Sequence, residues 1–264
     1  MEWNPEAYAK SSSNQLAWAR ELIARPGLTG SEALLDVGCG DGKVTAEIAG
    51  AVPDGSVLGV DASGANVDYA RAHFPPERYP NLRFEQMDAR RLDTPQRFDV
   101  IFSNAVLHWV DDHPAFLSGC AKLIRPGGRL VISCGGKGNA AGIHAAIDRV
   151  MAEPEWAGYF EGFPFPYHFY APADYARWLP EAGFTVERAE LVEKDMVHAG
   201  SDGLAAWLRT TWLPYTSRVP AEKREAFIAA CVASYLADHP LDESGQCHVR
   251  MIRLEVEARG ANGA

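Results

Sequence analysis

The chain has 264 residues, 47% hydrophobic and 23% charged, which suits one large domain with a substantial core. Its formal net charge of −10 argues against nucleic acid or an anionic membrane as partner, because both attract clustered Lys and Arg. The five cysteines form no C-x-x-C pair and the eight histidines are scattered, so we expect reduced, mostly buried thiols and no metal site. Without an apolar run of spanning length or a basic-then-apolar leader, the sequence predicts a cytoplasmic protein.

Residues 1–30 precede the first predicted strand and form a predicted N-terminal arm. Residues 14–24 have helical spacing of apolar side chains, and the stretch before them is unusually aromatic for a chain terminus. The arm is either simply packed or a lid over a ligand site. In the second case Tyr8 and Gln15 are the residues expected to touch the ligand.

The stretch from Leu34 to Val44 is an apolar run that ends in an acidic residue, a glycine turn and a predicted helix. Such a turn lets the backbone approach a ligand in front of the free N–H groups of a helix. The register Gly38-x-Gly40-x-Gly42 differs from the dinucleotide fingerprint G-x-G-x-x-G. Asp36 and Asp41 would repel a pyrophosphate but attract an ammonium and a sulfonium group. The predicted ligand is therefore S-adenosylmethionine, with Asp36, Gly38 and Gly40 among its contacts.

Two more predicted strands end in acidic residues. Asp61 follows Asp36 by 25 residues, about the interval at which an acidic residue reaches the ribose hydroxyls in a βαβ unit, and Ala62 adjoins it. Asp88, at the end of the next strand, could accept from the adenine amino group beside Ala89, or it could cap a helix.

The fourth predicted strand, 98–104, is almost continuously apolar, as a strand covered on both faces should be. It leads into Asn104, His108 and Trp109. We expect Asn104 near the cofactor, Trp109 near the substrate, and His108 as the candidate base.

A fifth strand follows a Pro-Gly-Gly turn, and strands alternating with helices predict an α/β fold with a doubly wound, mostly parallel, seven-stranded sheet. Residues 136–182 form a predicted aromatic cap after strand five, with Tyr167 and His168 as substrate contacts. The predicted division is a single domain, 1–264, with the arm at 1–30, a cofactor-binding core at 31–135, the cap, and C-terminal strands and helices at 183–264.

Along nearly its whole length the chain resembles the class I S-adenosylmethionine-dependent methyltransferases. The matching stretches are 35–42, Asp61, 88–89, 98–104 and 125–128. The resemblance implies that the glycine turn holds the methionyl part, that Asp61 binds the ribose and that Asp88 faces the adenine.

Within that class, finer similarities lead to two groups that methylate carboxylic acids. Residues 3–5 with Tyr8, 104–113, 201–208 and 213–215 are similar to the trans-aconitate methyltransferases, in which Gln usually stands at the position of His108. Tyr8 with 14–15 and 107–109 are similar to the juvenile-hormone-acid methyltransferases. The resemblance implies O-methylation of a small carboxylic acid, with S-adenosylhomocysteine as the second product.

Three functions remain open at this point. A carboxylate acceptor is already ionised at pH 7 and needs no base, so placement and desolvation would carry the reaction. A natural-product methyltransferase acting on a phenol, nitrogen or carbon centre would use His108 as its base. A non-methylating protein of the same fold would keep the cofactor only for structure or positioning.

Overall fold

The computed structural model describes residues 13–261. Their contacts form two compact units. We call the first the sheet unit; it contains Ser13–Lys137, Tyr167–Val192 and 253–261. We call the second the helical unit; it contains Gly138–Pro166 and Glu193–Ile252. The segment predicted as one cap, 136–182, is thus shared between the units, and the single-domain division stays a prediction.

Seven strands form one sheet in the order β3-β2-β1-β4-β5-β7-β6. Strands β1 to β5 pair in parallel and β7 runs antiparallel to β5, which confirms the predicted mostly parallel sheet. The strand bounds are β1 Ala33–Val37, β2 Ser56–Asp61, β3 Leu82–Gln86, β4 Phe98–Asn104, β5 Ile124–Gly135, β6 Phe184–His198 and β7 Cys247–Gly260.

The sheet unit has an apolar core on each face of its strands, because successive strand residues point to opposite faces. Leu34 belongs to one core and Leu35 to the other. The first core is covered by α1 (Ser13–Ile23), α2 (Lys43–Ala51) and α3 (Gly64–His73). The second is covered by α4 (His113–Leu123) and α6 (Pro172–Glu181). This two-sided cover is the doubly wound arrangement that the sequence predicts.

The helical unit is built from α5 (Ala141–Met151), α7 (Gly200–Thr211), α8 (Leu213–Thr216) and α9 (Arg224–Asp238). Helix α9 packs on α5, and its Phe227 ring meets the rings of Trp156 and Phe160 at centroid distances of 5.4 and 5.3 Å. The Tyr235 hydroxyl donates to the carbonyl of His248 at 2.8 Å, which ties α9 to the start of β7.

Some predicted bounds differ from the structure. The sixth strand predicted from the sequence covers 183–191, whereas β6 continues to His198, and its side chains alternate between partly covered and exposed from 192 to Met196. The helix predicted over 221–238 is a 3₁₀ turn, Ala221–Lys223, followed by α9.

All five cysteines are buried and unbridged, as the sequence predicts. Within residues 13–261, no helix is both long and apolar enough to cross a membrane.

Candidate functional site

The glycine turn after β1 is closed by two hydrogen bonds from Gly38 and Cys39 N–H to the carbonyl of Val60, at 2.7 and 3.0 Å. Gly38, Gly40 and Gly42 have φ angles of 84°, 54° and 83°, which L side chains rarely adopt. A Cβ on Gly38 would lie 2.4 Å from the Val106 side chain, whereas nothing lies within 4 Å of one built on Gly40. The turn therefore packs tightly at one end and leaves open space beside Gly40.

Asp61 at the end of β2 is almost fully buried, and both its oxygens accept hydrogen bonds. Oδ2 accepts from Gly40 N–H at 3.0 Å, which joins the carboxylate to the glycine turn. Oδ1 accepts from Ser63 N–H at 2.9 Å and from the Asn66 side chain at 3.3 Å. A carboxylate offers about four acceptor positions, so these bonds leave room for a ribose hydroxyl.

The other two carboxylates of the turn differ from each other. Asp36 is 2% exposed and accepts from the Thr45 hydroxyl at 2.7 Å; burial, together with the charge of Asp61, raises its pKa to about 7. Oδ2 of Asp41 is buried without a hydrogen-bond partner among the described residues, 3.5 Å from Lys43 Nζ. Asp36 is thus buried in β1 and bonded to Thr45, and its direct contact with a ligand stays a prediction.

At the third strand end, Asp88 takes the helix-cap role. It accepts from Arg90 N–H at 2.9 Å at the start of a 3₁₀ turn, Ala89–Arg91, and pairs with the Arg90 guanidinium at 2.7 Å. These bonds to Arg90 lower the pKa of Asp88. Ala89 is buried, while Ala62 is exposed and its carbonyl accepts from Gln86 at 2.9 Å. The adenine role of Asp88 stays a prediction.

These residues fit S-adenosylmethionine. The open space beside Gly40 admits a ligand close to the backbone, and Oδ2 of Asp41, which accepts no hydrogen bond from the described residues and lies 3.5 Å from Lys43 Nζ, can attract a cationic group. The formal charge of the turn is negative, which suits a cationic ligand.

The ends of β4 and β5 meet at a buried cation that the sequence reasoning did not assign to the site. Arg253, on β7, is 4% exposed and donates through Nη2 to the Ser133 carbonyl at 2.8 Å and to Asn104 Oδ1 at 3.2 Å. Asn104, predicted beside the cofactor, therefore orients this guanidinium. A signal was available, because Arg253 interrupts the apolar residues of the last strand.

Beyond Asn104 the chain turns sharply. Ala105 has a φ of 61°, a conformation that costs a non-glycine residue about 1–2 kcal/mol. Its N–H donates to the Ser133 carbonyl at 2.7 Å. This bend leads into the 3₁₀ turn Leu107–Trp109, which we call the histidine turn because it carries His108.

His108 is partly exposed, and its Nδ1 accepts from Gly135 N–H at 3.3 Å. Packing around the ring, which keeps most water away from it, and then the positive charge of Arg253 lower the pKa of His108 to about 3. An effective general base has a pKa near the working pH. The lowered pKa does not favour a base at neutral pH, and the role of His108 as a base stays a prediction.

Aromatic rings surround His108 in the sheet unit. Trp109 lies 4.8 Å from Tyr167 between ring centroids, and Tyr167 stacks on Phe169 at 5.4 Å with an interplanar angle of 6°. The backbone N–H of His168 donates to the His108 carbonyl at 2.9 Å. The structure thus brings the three predicted substrate residues, Trp109, Tyr167 and His168, next to His108.

A buried pair that the sequence reasoning missed supports the histidine turn. The Tyr175 hydroxyl lies 2.7 Å from His113 Nδ1, and His113 Nε2 lies 2.8 Å from the Leu107 carbonyl. A carbonyl can only accept, so Nε2 carries the proton and Tyr175 donates to Nδ1. Burial lowers the pKa of His113 to about 4, so the ring is neutral at pH 7.

Two predicted contacts cannot be placed. Tyr8 lies outside the described residues, and Gln15 lies in α1 with a side chain that the structure does not describe. Among residues 13–261, no group of three or more His, Cys, Asp or Glu could hold a metal ion.

Comparisons with known proteins agree with this geometry. Residues 34–128 match the family model described as a methyltransferase domain. The chain is similar to trans-aconitate 2-methyltransferases from Deinococcus radiodurans (33% identity, covering 91% of this chain and 92% of that protein) and Methylobacterium radiotolerans (32% identity, covering 99% of each).

The fold is similar to that of a solved coclaurine N-methyltransferase bound to N-methylheliamine and S-adenosylhomocysteine. That structure has a TM-score of 0.59 and 12% identity, and the match covers 93% of this chain and 72% of that one. The glycine turn, the sheet order and these full-length relatives together show that the chain belongs to the S-adenosylmethionine-dependent methyltransferases and to the family that includes the trans-aconitate 2-methyltransferases.

Proposed function

We propose that this enzyme methylates a carboxylate oxygen of a small organic acid. The observation that carries the proposal is the buried guanidinium of Arg253, which Asn104 and the Ser133 carbonyl hold at the strand end from which the histidine turn departs. A phenol, alcohol or ammonium acceptor must lose a proton, and His108, with its lowered pKa, is a poor group to receive it. A carboxylate arrives ionised and is attracted by a positive charge.

S-adenosylmethionine, when bound, supplies an electrophilic methyl group on a sulfonium. The chain's own residues have three tasks: the glycine turn and Asp61 hold the cofactor, Arg253 and Asn104 set the local charge, and the rings beside His108 exclude water. An O–CH₃ bond forms as the S–CH₃ bond breaks, giving an ester and S-adenosylhomocysteine without proton transfer. Placement and desolvation of the carboxylate then account for most of the acceleration of methyl transfer.

The relatives are named for trans-aconitate, a small polycarboxylate, which makes it one acceptor to test. The histidine turn has aromatic neighbours instead of a cluster of cations, which suits an acid with an apolar or aromatic body. We place the partner of this enzyme among small molecules.

The test is an acceptor screen that measures S-adenosylhomocysteine release. Trans-aconitate, aliphatic acids and aromatic acids are compared with the matching primary amides, phenols and amines. We expect turnover on acids and a product ester that mild alkali hydrolyses. Turnover confined to phenols or amines would overturn the carboxylate proposal, and cofactor binding without any turnover would favour the non-methylating alternative.

A further inference from the structure

The backbone of the histidine turn is fixed from several directions. Two hydrogen bonds lie within it, from Trp109 N–H to the Val106 carbonyl and from Val110 N–H to the Leu107 carbonyl, both at 2.9 Å. Two more come from elsewhere in the sheet unit, from His113 to Leu107 and from His168 to the carbonyl of His108. The position of the His108 ring is therefore set before any acceptor binds.

The proton of the His108 ring can be placed from one contact. Gly135 N–H can only donate, so Nδ1 must accept, and a neutral imidazole then carries its proton on Nε2. Among the described residues this is the only hydrogen bond of the ring, and the side chain is partly exposed. Nε2–H is thus a hydrogen-bond donor available to a ligand.

A neutral donor suits a carboxylate that must still attack a methyl group. An imidazolium would form an ion pair and reduce the nucleophilicity of the carboxylate, whereas a neutral N–H orients one oxygen and leaves most of the negative charge in place. Arg253 helps in two ways: its charge disfavours protonation of His108 and attracts an anion toward this strand end.

We propose that His108 recognises the acceptor by donating its Nε2–H to one carboxylate oxygen, while the other oxygen attacks the methyl group. His108 is then a specificity-determining residue for carboxylates, and His113 and Tyr175 are positioning residues that act through the Leu107 carbonyl. This inference rests on the proposed function.

The first experiment needs no acceptor. Nitrogen-15 NMR of the imidazole groups, assigned with His108→Asn, reports which ring nitrogen is protonated and whether it titrates. We expect the Nε2–H form of His108 without titration between pH 5.5 and 8, a range on the order of one unit around the ordinary histidine pKa. An Nδ1–H form, or titration near neutrality, would overturn the assignment.

The second experiment compares two variants of the same position. In His108→Gln the amide nitrogen can reach the position of Nε2. This variant therefore keeps the hydrogen-bond donor but cannot act as a base. In His108→Asn the shorter amide can still accept from Gly135 N–H but does not reach the acceptor. Loss of a hydrogen bond to a charged group predicts a KM for the acid raised about ten- to a hundred-fold in His108→Asn. His108→Gln should stay within a few-fold of the wild type.

Three readouts separate the possible failures. S-adenosylhomocysteine affinity, measured by titration calorimetry, should be unchanged in both variants. If the wild type methylates acids and His108→Asn keeps its KM, the donor role is wrong and the carboxylate function stands. If both variants lose kcat equally and the wild-type rate follows a pKa near neutrality, His108 is a base, and the carboxylate function falls together with this inference.

Discussion

The glycine turn and the histidine turn follow neighbouring strands of one sheet, yet they are built oppositely. In the glycine turn, carboxylates collect backbone N–H groups, as Asp61 does from Gly40 and Ser63. In the histidine turn, a neutral ring lies near the buried guanidinium of Arg253. The first region suits a cationic cofactor and the second suits an anionic acceptor. Two neighbouring strand ends of one sheet thus carry opposite charge, a carboxylate-rich turn at one and a buried guanidinium at the other, which can attract ligands of opposite sign.

The two turns also reach unusual backbone conformations by different means. The glycine turn uses glycine wherever φ is positive, whereas the histidine turn begins with a non-glycine residue, Ala105, at φ 61°. The strain at Ala105 persists because several hydrogen bonds hold the residues around it. Four substitutions test this contrast between the two turns.

The largest effect is expected from Asp61→Asn. The amide turns a donor toward one of the N–H groups that the carboxylate now accepts, and it weakens the acceptor for ribose. A lost charged hydrogen bond is worth about 1.5–3 kcal/mol, so the Kd for S-adenosylhomocysteine should rise about ten- to a hundred-fold by calorimetry. Asp68→Asn, on the exposed surface of α3, is the control. Unaltered affinity in Asp61→Asn would refute the site as drawn.

Tyr175→Phe tests the support of the histidine turn. It leaves Nδ1 of the buried His113 without a donor, which should cost about 1–3 kcal/mol of stability and raise the KM for the acceptor without changing cofactor affinity. Tyr170→Phe, whose hydroxyl donates to the Asp111 carbonyl, is the matched control. Equal effects of the two variants on KM would show that Tyr175 has no positioning role.

Asp36→Asn tests the buried acid of the glycine turn. The folded pKa of Asp36, about 7, lies above the ordinary value, so the protonated form stabilises the fold at low pH and this stability is lost as pH rises through 7. The asparagine cannot ionise. Without cofactor, the Tm of Asp36→Asn minus the Tm of the wild type should therefore be several degrees higher at pH 8.5 than at pH 5. Each kcal/mol of stability corresponds to about 2 °C in Tm for a chain of this size. A pH-independent difference would contradict the burial argument.

The smallest effect is expected from Ala105→Gly. Relief of the left-handed strain and the greater freedom of glycine in the unfolded chain oppose each other, which leaves about 0.5 kcal/mol of net stabilisation. The looser turn should raise the KM for the acceptor about two-fold, in line with that small free energy. Ala140→Gly, in the helical unit at φ 51°, should change the free energy of unfolding by a similar amount without changing the KM for the acceptor. A higher KM in both variants would mean that the effect is not local to the histidine turn.

Much of the candidate cofactor site could be predicted from the sequence, because the motifs that form it lie within short stretches of the chain. The Gly38-x-Gly40-x-Gly42 register fixes a turn by backbone sterics, and Asp61 follows at the spacing of one βαβ unit. Asp88 was ambiguous for the same reason: a cap and a ligand contact need the same residue at the same place, and the structure shows the cap.

The contacts of the histidine turn could not be predicted from the sequence in the same detail. Its chemistry depends on residues far apart in the chain, since Arg253 reaches Asn104 and Gly135 reaches His108. In the sequence His108 is a candidate base, and only the tertiary structure shows the packing and the nearby cation that lower its pKa.

By itself, the sequence determined the strand and helix pattern, the glycine turn and the class of cofactor, because periodicity, glycine sterics and short spacings act within a few tens of residues. The tertiary structure alone decided which carboxylates are buried, which backbone N–H contacts the His108 ring and which side chains hold the buried cation Arg253. Those properties follow from desolvation and from contacts between β4, β5 and β7, which no local pattern encodes.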